Sequence, residues 1–520
     1  MPDSEIIPGV SEPRLVRLAE DIAFAARPGD LIALCGDLGA GKTTLARAII
    51  HALAGGEREE IPSPTFTLVQ TYASPRMAVT HFDLYRLSEP SELEELGLDH
   101  ALKHGLALVE WPERAGGVLP HSRLEILLED EGEVSPDKES GTRRITLVGH
   151  GDWCPRLERL AAMRQLLNST GLEAEDCSLR YLQGDASVRR YARLACRRRT
   201  GAILMDWARQ PDGPAIRNGL PYSRIAHLAE DVRPFVALAG ALRAAGLAAP
   251  EIYAQDFDHG ILLLEDLGER LFAREVETGA SDQAELWRAA TDALVALGAR
   301  TPPETVPLAD GTVHRLPAYD RGALGIEVEL LLDWYWPALH SGPLPEEARA
   351  EFLGHWTAVF DRLSALPQGW VLRDYHSPNL LWLPERQGIA RVGVIDFQDA
   401  MRGPPAYDLV SLLQDARVDV TPELEERLFD HYCAAVAVRE AGFDRDAFAF
   451  AYAALGAQRN TKILGIFARL NRRDNKPAYL RHVPRLWRYL ARDLAHPELG
   501  RLKSWYDRHM PAAARQGVPA

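Results

Sequence analysis

Cysteine is scarce and scattered. The five in 520 residues, Cys35, Cys154, Cys177, Cys196 and Cys433, include no CxxC pair and are odd in number. They carry no zinc or disulfide signal and fit a reducing compartment. Long apolar runs are missing as well. The most apolar helix-like stretch, 235–250, contains Arg243 and is too short to span a bilayer. The first residues (MPDSE) are acidic and lack the apolar core of a signal peptide, so a cytoplasmic protein is expected. Positive charge is in deficit: the net charge is −15, which excludes a strong direct grip on a nucleic-acid backbone and makes any link to RNA one through a partner protein. With 46% hydrophobic and 26% charged residues, what remains is an ordinary soluble composition long enough for two to four domains.

The most informative stretch is 372–380 (LRDYHSPNL), followed by 394–397 (VIDF). An aspartate, an asparagine five positions on, and a second aspartate ending an apolar run make the base-and-metal set of a protein-kinase-like phosphotransferase. Asp374 can accept the proton of an attacking hydroxyl, while Asn379 and Asp396 offer oxygen ligands for Mg²⁺ on nucleotide phosphates. An Asx-rich turn beside a strand-terminal aspartate is the plainer alternative.

Nearer the N-terminus, Ser11 opens a helical pattern. The short apolar strand 31–35 (LIALC) then runs into 36–44 (GDLGAGKTT) and a second helical pattern. This is a P-loop in the strand–loop–helix context it requires. Gly36, Asp37, Leu38, Gly39, Ala40, Gly41 and Thr44 form the phosphate cradle at a helix N-terminus. Lys42 reaches the β- and γ-phosphates, and the Thr43 hydroxyl can ligate Mg²⁺. Such a site needs a carboxylate at a strand end. Asp83 and Glu110 both qualify, and spacing alone leaves the choice open, with Glu110 following the more apolar run. The P-loop, 63–67 (SPTFT), 81–86 (HFDLYR) and 109–113 (VEWPE), in this order, resemble the TsaE family, ATPase subunits in the synthesis of threonylcarbamoyladenosine in tRNA. The resemblance implies a small P-loop α/β fold, ATP and Mg²⁺ as cofactors, TsaB- and TsaD-like partners, a switch-like loop at Thr65, and Asp83 and Glu110 completing the metal and water shell.

The charged stretch 129–141 lies between two strand-like runs and reads as a hairpin tip. Residues 149–152 are the expected hinge, giving domains 1–152 and 153–520. In the second, 184–191 (GDASVRRY), with Ser187 and Arg189, can fold over phosphates. The strand 201–206 (GAILMD) carries Met205 where a kinase has its phosphate-pairing lysine, and 261–268 (ILLLEDLG), with Glu265, suits an adenine-facing hinge between lobes. The acidic helix at 327–336 either faces a polar, ring-shaped substrate or presents a solvated face. Asp408 either braces the catalytic loop or caps a helix, and 458–462 (QRNTK) can bring cations to the site. Together these stretches resemble the aminoglycoside phosphotransferase (APH/choline kinase-like) family, and 372–383, 395–400 and 459–470 resemble its AmgK branch. That resemblance implies a bilobal, protein-kinase-like α+β domain that phosphorylates the anomeric hydroxyl of N-acetylmuramate or N-acetylglucosamine in cell-wall recycling, with Asp374 as base. The expected whole is a bifunctional α/β fusion. Another acceptor (an aminoglycoside or a choline-like alcohol) and a non-catalytic nucleotide-binding scaffold are the competing readings of the second half.

Overall fold

The computed structural model describes all residues except 1–3, 56–60, 62–63, 65–66, 88, 90–91, 132–141, 171–176, 183–188, 198–200, 341 and 517–520. The chain forms two compact units, one of residues 1–208 with 252–266, the other of 209–251 with 267–520.

The first unit starts from β1 (Ser4–Val10) and α1 (Glu12–Ala25). Ser11 caps α1, its hydroxyl accepting from the Arg14 N–H, as its position before the apolar pattern predicts. Next come β2 (Leu31–Cys35), α2 (Lys42–Leu53), β3 (Val69–Tyr72), β4 (Ala78–Asp83), β5 (Gly105–Glu110), β6 (Arg123–Asp130) and β7 (Arg143–His150). They make one sheet in the order β1-β7-β6-β2-β5-β4-β3, in which β2 runs parallel to β5 and β6, and β4 parallel to β5. Strand β2 is central and its first four residues are wholly buried, which explains its unbroken apolar run. Strands β6 and β7 form the expected hairpin; most of its tip lies outside the described residues.

Helix α3 (Trp153–Ser169), expected to open a second domain, packs on β7. A five-stranded antiparallel sheet follows: β8 (Cys177–Leu182), β9 (Arg190–Cys196), β10 (Ala202–Asp206), β11 (Ile252–Asp256) and β12 (Ile261–Glu265), ordered β11-β12-β10-β9-β8. Its apolar face does not close on a core of its own. Leu179, Leu194, Leu204, Ile261 and Leu263 join Leu15, Ile22, Leu157 and Leu160 in one hydrophobic cluster that continues under the P-loop sheet. Burying each such side chain contributes about 1.5–3 kcal/mol, so the two sheets stabilise each other through α1 and α3. The polar rim agrees: Asp206 is clamped by Arg159 and Arg190, and Glu20 accepts the Leu179 N–H at 2.7 Å.

One expectation fails in this sheet. Cys177 and Cys196 form a disulfide, with Cα atoms 4.1 Å apart. The bond follows from the β8–β9 register, which sets them directly opposite each other, and register is a pairing that cysteine spacing does not encode.

The second unit is mostly helical. Its parts that matter here are α4 (Arg321–Leu330), two short hairpins, α5 (Ala406–Leu413) and the 30-residue α6 (Arg445–Asp474). In the hairpins, β13 (Gly369–Val371) pairs with β16 (Met401–Gly403), and β14 (Leu380–Trp382) with β15 (Val392–Val394). Residues 372–379 bridge the two hairpins, and Asp396 follows β15. Helix α6 is buried all round from Phe450 to Gly465, the signature of a helix running through a core. Gly465 lets it press on α4, since a Cβ there would sit 2.3 Å from the Leu330 carbonyl carbon. No helix among the described residues is long and apolar enough to cross a membrane.

Candidate active sites

In the first unit the functional side chains gather at the carboxyl ends of the parallel strands, where open α/β sheets place ligands. The loop between β2 and α2 turns on Gly36 (φ +135°), Gly39 (φ +87°) and Gly41 (φ +102°). Gly36 is doubly constrained, because a Cβ would also meet the Leu128 carbonyl oxygen at 2.4 Å. Lys42, 4% exposed, donates to the carbonyls of Gly36 (2.6 Å) and Asp37 (2.9 Å), and its ammonium lies 3.6 Å from the centre of the Trp111 ring. Burial lowers its pKa, against the pull of Glu110, Glu113, Asp83 and Asp37. Thr43 Oγ1 donates to Glu110 Oε2 at 3.0 Å, which joins the two groups expected at Mg²⁺.

Asp83 lies opposite Glu110 in the β4–β5 register, buried, and accepts the Tyr85 N–H at 3.1 Å. Glu110 thus touches the start of the P-loop helix. Its other oxygen is held by His81 Nε2 at 2.9 Å. His81 is fully buried, and its position two residues before Asp83 on the same strand face is the signal that sequence reading left without a role. Arg143, from β7, was also missed; it donates to the Ala40 carbonyl at 2.9 Å and braces the loop from across the sheet. Asp37, Leu38 and Thr44 lie on the same loop and helix start. The residues fit a nucleotide phosphate with its cation: a lysine folded onto its own loop's carbonyls, a hydroxyl–carboxylate pair, and a helix N-terminus opened by a left-handed glycine. Thr65 and Ser187 lie outside the described residues. Arg189, beside that second loop, stacks over Trp207 at 5.0 Å, and Glu265 ends β12, paired with Ala202 across the sheet. Met205 is fully buried in the middle of its sheet.

In the second unit the catalytic loop is held from below. Asp408, near the start of α5, accepts the N–H groups of Leu372 (2.6 Å) and Arg373 (3.0 Å), so it braces the loop. Burial pushes its carboxyl up to about 7 in spite of those bonds. Asp415 similarly accepts the Ser377 N–H at 2.8 Å. Arg373 and Asp396 both take left-handed φ values, +72° and +62°. Asn379 donates through its amide to the Asp374 carbonyl (3.0 Å) and to Asp396 Oδ2 (3.4 Å), while Gln398 holds Asp396 Oδ1 at 3.1 Å. The three residues picked out by spacing thus meet in one place. The Asp374 side chain is one-third exposed and open to a ligand. Burial opposes its ionisation, but Lys462, His376, Arg373 and Arg459 outweigh burial and hold its carboxyl below the usual range. An amide and a carboxylate facing each other, with the carboxylate's second oxygen fixed, fit the paired oxygen ligands of a cation on phosphates.

The acidic helix behaves differently from both expectations. Glu327 is fully buried and Glu329 nearly so, so α4 neither presents a solvated acidic face there nor offers Glu327 to a sugar. Glu327 pairs with Arg373 and with Lys462 (2.9 Å), and accepts from the Tyr319 hydroxyl and Gln458 (2.8 Å). Burial opposes its ionisation; Lys462, Arg373 and Tyr319 hold it down to about 2. This ionised glutamate ties α4, α6 and the catalytic loop together. Replacing Glu327 by Ala leaves two buried cations unpaired and is expected to cost about 3–5 kcal/mol of stability, read as a lowered thermal or urea midpoint of the second unit. Because the folded pKa is depressed from its ordinary 4.5, this contribution is present above about pH 4.5 and lost as the pH falls toward 2.

The comparisons with known proteins divide along the chain. The family of the threonylcarbamoyl adenosine biosynthesis protein TsaE matches residues 10–140, and the phosphotransferase enzyme family (APH) matches residues 178–450. The chain belongs to both families, TsaE in its first part and APH in its second. The N-acetylmuramate/N-acetylglucosamine kinase of Caulobacter vibrioides is 42% identical over 368 residues, 69% of this chain and 99% of that protein. The kinase of the same name from Pseudomonas aeruginosa is 40% identical over 283 residues, 52% of this chain and 77% of that one. The TsaE protein of Rickettsia bellii is 43% identical over 124 residues, 23% of this chain and 85% of its own length. The fold is accordingly a mixed α/β one, a P-loop TsaE domain followed by a kinase-like APH domain, and the protein is an ATP-using phosphotransferase joined to an ATPase.

Proposed function

We propose that the chain is a bifunctional cytoplasmic enzyme. Its APH part transfers the γ-phosphoryl group of ATP to the anomeric hydroxyl of N-acetylmuramate and N-acetylglucosamine. Its TsaE part is the ATPase subunit of tRNA threonylcarbamoyladenosine synthesis, acting with TsaB- and TsaD-like proteins. The observation that carries the kinase reading is the Asp374–Asn379–Asp396 constellation, set in a chain that covers nearly the whole of an N-acetylmuramate/N-acetylglucosamine kinase. In this reading residues 1–152 are the TsaE part and 153–520 the kinase part; the family matches are 10–140 and 178–450, and the packing of α1 and α3 runs across the division.

In the kinase, Asp374 accepts the acceptor hydroxyl's proton, and Asp408 keeps the loop that carries it in place. Asn379 and Asp396 would hold Mg²⁺, which when bound would neutralise charge on the phosphates of ATP, the phosphoryl donor. In the ATPase, Lys42 would turn from its own loop's carbonyls to the phosphates. Thr43 and Glu110 would hold the cation, with His81 keeping Glu110 oriented and Asp83 beside it on the neighbouring strand.

The test offers Mg²⁺-ATP with N-acetylmuramate, N-acetylglucosamine, an aminoglycoside or choline, and identifies the products by mass spectrometry. An acid-labile sugar 1-phosphate from the first two is expected. Phosphorylation confined to the aminoglycoside or choline would replace the proposed acceptor, and no phosphorylated product would favour a nucleotide-binding scaffold.

A further inference from the structure

Helix α6 brings two cations to the catalytic loop, three residues apart, with opposite fates. Lys462 is neutralised by Glu327 at 2.9 Å. Arg459 is 4% exposed, yet no hydrogen bond or ion pair ties its guanidinium to another described residue, and its Nη1 is shut off from solvent without a partner. A guanidinium cannot shed its proton in a protein, so burying it unpaired is costly and its five donors remain available. Its charge acts on Asp374, His376 and Asp408, the base and its surroundings. Arg459 thus stands among the charged groups around the base. No described carboxylate is within hydrogen-bond or ion-pair reach of it, and a planar fork of donors matches a carboxylate in two-point fashion.

Resting on the kinase reading above, we propose that Arg459 binds a carboxylate of the acceptor, the lactyl carboxylate that N-acetylmuramate carries and N-acetylglucosamine lacks. The two sugars then share the anomeric chemistry at Asp374 and differ by one charge-assisted contact at α6. Burial makes the contact selective: the guanidinium gains a partner only when the acidic sugar is bound. Arg459 is a specificity residue in this account and takes no part in moving the proton.

The test compares N-acetylmuramate with its methyl ester, and with N-acetylglucosamine, on the full-length protein. Wild type is expected to show a KM for the ester raised roughly ten- to a hundredfold over that for the acid, the range of a hydrogen-bonded charge pair, with kcat changed far less. Arg459→Gln is expected to give the acid and the ester the same KM, and Arg459→Lys to restore part of the preference. Equal KM for acid and ester in the wild type overturns the proposal, even where Arg459→Gln fails to fold. A variant that loses kcat equally on acid, ester and N-acetylglucosamine while keeping the acid preference also overturns it and assigns Arg459 to the phosphoryl group or the fold. A wild-type protein that phosphorylates neither sugar refutes the kinase reading itself, a distinct outcome that takes this proposal down with it.

Discussion

Asp374→Asn is expected to lower kcat for sugar phosphorylation by roughly 10²–10⁴-fold, the contribution of a positioned general base. The substitution keeps size and removes the charge that takes the hydroxyl proton. The loop should survive it, because its backbone is held by Asp408 and Asp415 and its arginine by Glu327, none of which uses the Asp374 carboxylate. Affinity for nucleotide should change little, since Asn379 and Asp396 remain. The measurement is steady-state kinetics with N-acetylglucosamine beside nucleotide titration by calorimetry. A variant that phosphorylates the sugar at the wild-type rate removes Asp374 from the role of base. If binding and turnover were lost together, the residue would be a structural member of the loop.

Lys42→Ala is expected to abolish nucleotide binding at the P-loop, so that a chain taking up two nucleotides takes up one. The lysine's ammonium rests on the carbonyls of its own loop, and a preorganised donor of this kind is worth roughly 10²–10³ in rate. Hydrolysis is read without sugar and in the Asp374→Asn background, so that turnover by the kinase part does not mask the loss. Sugar phosphorylation by the single Lys42→Ala variant should persist, because the contacts of Lys42 are with the Gly36 and Asp37 carbonyls and the Trp111 ring, all of the TsaE part. Loss of both activities on this one change would instead mean that the shared core beneath α1 and α3 couples the two parts.

Much of this was legible in the residues. Chemistry tied to short spacing can be read locally, because a turn of eight residues constrains itself. The P-loop needs its glycines at fixed steps, and Asp374, Asn379 and Asp396 sit on a loop and a strand end whose order determines their meeting. The same holds for Ser11 as a cap and for the buried run of β2. Between Asp83 and Glu110 the sequence could not choose. Only the packing of β5 against the start of α2 brings Glu110 to Thr43, and His81 to Glu110.

Tertiary structure decided everything that depends on partners far apart in the chain. Glu327 looked like half of a solvated acidic stripe, yet Arg373, 46 residues on, and Lys462 in α6 turn it into a buried ionised strut. Cys177 and Cys196 became a pair through strand register, and the five-stranded sheet found its core against α1 and α3. Arg459 is the clearest case. Its charge is written in the sequence, but that it lies buried with no hydrogen-bond or ion-pair partner among the described residues follows from where α6 runs, since the cost of an unpaired ion is set by the burial around it and not by the residues beside it.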